Sequence, residues 1–212
     1  MLRVIETFAS IQGESTHAGR RCFFIRLAGC NLRCNYCDTA YAWDGGEEFS
    51  IEKLVTLAVN SKCDIVEVTG GEPLMQKDTP LLLQALLDEG FTVLLETNGS
   101  VSIAQVPEKV CKIVDCKTPG SAMAENNCFE NFSRLKFHDE VKFVISGKDD
   151  FDWSVQIVQQ YKLAEKTPNL VFSPVWGRVD FQELAKWVVE SNLPIRMQLQ
   201  MHKIIWGDKK GV

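Results

Sequence analysis

The segment Gly29-Cys30-Asn31-Leu32-Arg33-Cys34-Asn35-Tyr36-Cys37-Asp38 puts three thiols in one short loop, separated by three and then two residues. Three soft ligands can hold an iron–sulfur cluster and leave one iron open to a small molecule, whereas a closed cluster wants four cysteines. The vacancy points to an enzyme rather than an electron carrier. A zinc knuckle is the competing reading. Zinc needs a fourth ligand, and His17 or Cys22 would have to supply it without a recognisable metal-binding pair. The remaining cysteines, Cys22, Cys63, Cys111, Cys116 and Cys128, sit at no ligand spacing. The first four fall in or beside apolar stretches, where a free thiol behaves as a small hydrophobe.

Two further segments carry chemistry. In Thr69-Gly70-Gly71-Glu72-Pro73 the glycines let backbone carbonyls approach a ligand closely, and Glu72 adds negative charge suited to an ammonium group. Alone, a glycine pair after a strand is also an ordinary turn. In Glu96-Thr97-Asn98-Gly99 a carboxylate and an amide suit sugar hydroxyls, although Asn98-Gly99 is equally a turn dipeptide. Arg26 interrupts Phe23-Phe24-Ile25 and Leu27, so on a buried strand it needs an anionic partner, and on an edge it would face solvent.

These residues must be positioned by an alternation of short apolar strands and helical patterns, the signature of a parallel sheet wrapped by helices. Strands are expected at 22–28, 65–69, 91–97, 112–116, 141–145, 170–173 and 195–200. Ser50 is expected to cap a helix through Ile51, Leu54, Val55 and Ala58, and Thr79 to cap a second, with Pro80 at its first position and Gly90 ending it. Further helices are expected at 152–161 and 180–190. Polar residues recur at alternate strand positions: Glu67 with Thr69, Glu96 with Asn98, Asp115 with Lys117, and Gln198 with Gln200 and His202. A strand covered on both faces reads as nearly continuous hydrophobics. The alternation therefore suggests one domain, 1–212, folded as a partial, incomplete TIM-like barrel around a polar pocket. Its site would lie at the C-terminal strand ends, marked by Thr69, Asn98, Lys117 and His202. Solvent-facing edge strands would give the same alternation.

The chain has 212 residues and a formal net charge of -5, with basic residues dispersed, which gives no general attraction to a phosphate backbone. A small substrate is expected rather than nucleic acid. Met1 to Ser10 lacks a basic-then-apolar leader, and no stretch approaches about 18 apolar residues. A cytoplasmic protein without membrane attachment is the expectation.

The cysteine spacing, with Tyr36 just before Cys37, and the Gly-Gly-Glu-Pro segment together resemble the radical S-adenosylmethionine superfamily. Phe8-Ala9-Ser10-Ile11-Gln12-Gly13-Glu14, Cys37-Asp38-Thr39, Asp115-Cys116-Lys117-Thr118-Pro119 and Gln198-Leu199-Gln200-Met201-His202-Lys203 narrow it. Together they resemble the 7-carboxy-7-deazaguanine synthase family over nearly the whole chain. The resemblance implies conversion of 6-carboxy-5,6,7,8-tetrahydropterin to 7-carboxy-7-deazaguanine with loss of ammonia, on the route to queuosine and related 7-deazapurines. It implies a 4Fe-4S cluster on Cys30, Cys34 and Cys37, S-adenosylmethionine whose deoxyadenosyl radical removes a substrate hydrogen, and magnesium on Thr39. S-adenosylmethionine is then expected against Tyr36, Asp38, Gly71, Glu72, Glu96, Asn98, Asp115, Cys116 and Lys117. The substrate is expected against Ile11, Gln12, Gly13, Arg26, Thr69 and His202. No side chain beyond cluster and cofactor is assigned a catalytic step. A flavodoxin or ferredoxin as electron donor and a homodimer are also implied.

Two positions depart from the family pattern: Ser15 follows Glu14 where glycine is common, and Cys116 stands where some relatives have proline or another small residue. A glycyl-radical activase shares the cysteine spacing, but Gln12-Gly13-Glu14 with Thr39 speaks against it. A zinc-bound interaction module is the alternative that is not an enzyme.

Overall fold

The computed structural model describes residues 1–212. Nine strands form one sheet: β1 (Leu2–Ile11), β2 (Arg21–Leu27), β3 (Glu47–Phe49), β4 (Ile65–Gly70), β5 (Thr92–Thr97), β6 (Cys111–Asp115), β7 (Glu140–Ile145), β8 (Leu170–Pro174) and β9 (Ile195–Met197). Their order is β3-β1-β2-β4-β5-β6-β7-β8-β9. From β2 to β9 every neighbouring pair is parallel, while β1 pairs antiparallel with β2 and β3. The end strands β3 and β9 do not pair, so the sheet does not close.

Helices α1 (Ile51–Ser61), α2 (Thr79–Asp88), α3 (Lys148–Gln160) and α4 (Phe181–Glu190) cover one face, and a short α5 (Met201–Trp206) follows β9. The covered face is apolar. Val66, Val68, Val93 and Leu95 pack with Leu54, Leu82 and Leu86 of α1 and α2. Val141, Phe143 and Phe172 pack with Phe151, Ile157 and Leu184 of α3 and α4.

Because successive side chains in a strand alternate faces, the residues between those core positions form the opposite face. That face is graded along the strands. Cys22, Phe24, Ile65, Leu94, Cys111 and Ile113 make a small apolar cluster toward the strand starts. Further along come Glu67 and Thr69 of β4, Glu96 of β5, Asp115 of β6 and Lys142 of β7, all lining one cavity. The polar alternation belongs to a pocket rather than to solvent-facing edges.

Four expectations change. The sequence pattern predicts no strand before residue 22, yet β1 is one; a register shift between Val4 and Glu6 breaks its alternation, which hides the strand. The strand expected at 195–200 ends at Met197, and His202 lies on α5, not at a strand end. The cap of α2 is Asp78 rather than Thr79, whose hydroxyl instead donates to the Pro73 carbonyl at 2.6 Å. Helix α3 begins at Lys148, four residues before the expected start. Ser50 caps α1 as expected, its hydroxyl accepting from Lys53 N at 3.2 Å.

Candidate active site

The three spaced cysteines open into the cavity at the C-terminal ends of the parallel strands, and all three are free thiols of intermediate exposure. Burial pushes the Cys34 and Cys37 thiols up, so it takes a bound metal to draw off their protons. A cluster takes one cysteine per iron, and three cysteines of one loop facing one cavity fit three of its four irons.

The loop is held from below by the Gly70–Gly71 turn. A Cβ on Gly71 would collide with the Gly29 carbonyl and stand 2.7 Å from Cys30 Cβ, and Glu72 N donates to the Gly29 carbonyl at 2.8 Å. Close packing of two backbones therefore requires the glycine here. Glu72 is not where the sequence placed it. It is fully buried, outside the cavity lining, and its carboxylate accepts from Leu74 N, Thr97 Oγ1 and Asn98 N at 2.7–2.9 Å. The glutamate braces the turn against the end of β5 rather than facing a ligand. Asn98 completes the brace, its Nδ2 donating to Asn31 Oδ1 at 3.1 Å and reaching Cys30 Sγ at 3.7 Å.

Cys116 also departs from expectation. It is 1 % exposed, packs in the apolar cluster under α3 and α4, and does not line the cavity. Every other expected site residue does line it: Ile11, Gln12, Gly13, Arg26, Tyr36, Asp38, Thr39, Thr69, Gly71, Glu96, Asn98, Asp115, Lys117 and His202. Thr39 Oγ1 donates to Asp38 Oδ1 at 2.8 Å, which leaves its lone pairs free for a hard cation. Arg26 finds its anion within the chain, Nε donating to Glu6 Oε1 at 2.9 Å. Tyr36 lies with its hydroxyl 3.4 Å from the Val144 carbonyl, and burial pushes it up to about 12.

Sequence reasoning missed the charge that organises the cavity. Lys142 Nζ donates to Glu14 Oε2 at 3.0 Å and to Glu96 Oε1, and lies 4.0 Å from Asp115 Oδ2. Burial disfavours its charge, but the three carboxylates hold the ammonium well above the ordinary lysine value. Burial likewise opposes ionisation of Glu96, and Lys142 overcomes it, bringing the carboxyl down to about 2. The signal was present: Lys142 interrupts Val141 and Phe143 as Arg26 interrupts its strand. Lys117 pairs with Asp115 at 2.7 Å, which raises its ionisation against the cost of burial.

The open edge of the sheet is bridged by the β1–β2 loop. Gln198 clasps Ser15, accepting from its backbone N at 2.7 Å and donating to its carbonyl at 2.8 Å. Gln200 donates to Glu14 Oε1 at 2.8 Å, and Met201 N to the Gly13 carbonyl at 2.9 Å. Gly13 and His202 are brought together by this strap. Ser15 takes φ +62, the left-handed region that favours glycine, which is the residue the family pattern carries there.

Comparison with known proteins matches residues 24–188 to the Radical SAM superfamily. The chain is 42% identical to the 7-carboxy-7-deazaguanine synthase of Chlorobaculum tepidum, over 100% of this chain and 97% of that protein. It is 38% identical to the protein of that name from Koribacter versatilis, over the full length of both. Among solved structures it resembles QueE from Escherichia coli, with a TM-score of 0.77 at 21% identity over 93% of each chain, a likeness of fold.

Proposed function

The chain belongs to the radical SAM superfamily and within it to the 7-carboxy-7-deazaguanine synthases, and from that premise we propose that it converts 6-carboxy-5,6,7,8-tetrahydropterin to 7-carboxy-7-deazaguanine with loss of ammonia. The observation that carries the reading is a single cavity into which the cysteine loop, the polar strand ends and the Gln12–Glu14 strap all open.

In this reading Cys30, Cys34 and Cys37 would hold a 4Fe-4S cluster, which, given one electron from an external donor, would supply together with S-adenosylmethionine the radical chemistry needed at an unactivated C–H bond. The residues of the chain bind and orient. Backbone carbonyls of the Gly70–Gly71 turn receive the cofactor's ammonium end, a role that does not fall to the Glu72 side chain, which is fully engaged. Glu96, held ionised by Lys142, and Asp115, paired with Lys117, accept from hydroxyl groups of the cofactor. Arg26 spends Nε on Glu6 and offers its terminal nitrogens to the substrate carboxylate. Thr39 offers an oxygen to magnesium beside the substrate, as the resemblance implies. His202, seated on Gly13 by the strap, closes the cavity over the ring system. A cytoplasmic homodimer served by a flavodoxin or ferredoxin belongs to the same reading.

The test is anaerobic reconstitution with iron, sulfide, reductant, magnesium, S-adenosylmethionine and the carboxytetrahydropterin. The deazapurine and one ammonia per turnover are expected. A cluster-replete protein that cleaves S-adenosylmethionine but forms no deazapurine would remove the substrate assignment and leave the superfamily membership.

A further inference from the structure

Glu67 is the cavity carboxyl that the functional reading leaves without a role. It lies on β4 at 3 % exposure and lines the cavity. The other acidic side chains of the lining are each engaged by a cation: Glu14 and Glu96 by Lys142, Asp115 by Lys117, and Asp38 by Lys203 at 3.3 Å. Glu67 has only the amide of Gln12, whose Nε2 donates to Oε2.

The orientation of that amide is fixed independently. Gln12 Oε1 accepts from the backbone N of Glu14 at 2.9 Å, so the NH₂ end must be the one facing Glu67. An oxygen that receives an N–H acts as an acceptor. If the carboxyl carries a proton, that proton therefore sits on Oε1, the oxygen with no protein partner.

The surroundings favour the protonated form. Burial is the largest influence and raises the Glu67 carboxyl well above the carboxylate range, with Glu96 of β5 and Glu14 of the loop adding like charge. Lys142 of β7 and Arg26 of β2 oppose this, but both are already bound to other carboxylates. Cys22 of β2 and Cys111 of β6, the other titratable groups beside it, are thiols that burial pushes up and keeps neutral.

We propose that Glu67 is a substrate-recognition residue that presents the Oε1–H hydroxyl into the cavity as a donor to a lone-pair acceptor, a carbonyl oxygen or ring nitrogen, of the bound heterocycle. The proposal rests on the reading of the cavity as a pterin site. It gives the cavity floor a neutral donor beside carboxylates that are each paired with a cation, so a ring with an acceptor edge is admitted and an anionic edge is not repelled. Gln12 then acts through Glu67, as the residue that decides which oxygen carries the hydrogen.

Two measurements test it. The infrared difference spectrum of wild type minus Glu67→Gln, both cluster-loaded, unreduced and without ligand, should show the C=O stretch of a protonated carboxylic acid at neutral pH; its absence overturns the proposal. Equilibrium binding of the carboxytetrahydropterin to anaerobic, unreduced, cluster-loaded protein is the second. Wild-type affinity should fall as pH rises and Glu67 ionises. Glu67→Gln, which keeps an acceptor for Gln12 and a donor for the ligand, should lose less than about threefold at neutral pH and lose the alkaline fall. Glu67→Leu should weaken binding by about tenfold, a single hydrogen bond of ~1.4 kcal/mol. A tenfold loss in the glutamine variant, or undiminished binding in the leucine variant, overturns the inference while the pterin assignment stands. A wild-type protein that does not bind the pterin fails both.

Discussion

The imidazole of His202 occupies the space where a Cβ on Gly13 would stand, so the C-terminal helix α5 is seated directly on the backbone of the β1–β2 loop. Nearly the whole chain separates these residues, and the contact exists because Gln198, Gln200 and Met201 bond to Ser15, Glu14 and Gly13 in turn. Gly13→Ala must displace the histidine. Substrate Kd is expected to rise at least about tenfold, or ~1.4 kcal/mol, with iron content unchanged. Titration calorimetry with the pterin and an iron assay on the same sample check both halves.

At the other end of the cavity Gly71 does the same for the cysteine loop. Gly71→Ala drives a methyl group into Gly29 and Cys30. Reconstituted protein should hold little iron although all three cysteines remain, at a stability cost of about 1–3 kcal/mol for overpacking. Full iron loading in a folded variant would show that the loop does not depend on this contact.

Lys142 ties the substrate strap to the cofactor side through Glu14 and Glu96. Lys142→Met leaves these carboxylates facing one another and should destabilise the protein by about 3 kcal/mol, the cost of breaking a buried pair. The pH dependence has a definite sign. The Glu96 carboxyl lies lower in the folded chain than its ordinary value of 4.5, at about 2. Its contribution to stability is therefore complete above the unfolded value and is lost as pH falls from there through about 2. Urea unfolding of wild type and Lys142→Met at pH 7 and pH 3 should show the difference between them shrinking in acid.

Ser15 holds a left-handed backbone with φ +62, and its Oγ accepts from His17 N at 3.0 Å. Relaxing the backbone returns about 1 kcal/mol, close to the value of that hydrogen bond. Ser15→Gly should therefore leave Tm unchanged or slightly raised. Ser15→Val, β-branched in the same conformation, should cost about 2 kcal/mol. Thermal unfolding of the pair checks the loop geometry without any cofactor.

Spacing within one segment was sufficient for the local features. The cysteine loop, the Ser50 cap, the parallel strands from β2 to β8 and the cavity-facing alternation of Glu67, Glu96 and Asp115 are all set by residues close in sequence, because period-2 and capping signals are short-range. The bulge at Val4–Glu6 and the six-residue α5 defeated the same reasoning, one by breaking the period and the other by being too short to show one. Partners distant in the chain were settled only by tertiary structure. Glu72 has the residue type of a ligand contact, yet Thr97 and Asn98, brought alongside by the sheet, already engage its carboxylate, while Glu6 takes the Nε of Arg26 and leaves its terminal nitrogens for a ligand. Cys116 and Lys142 exchanged expected importance for a similar reason. Which face a residue at a strand end takes, and which charges meet across a cavity, depend on neighbours that only the folded sheet brings within reach.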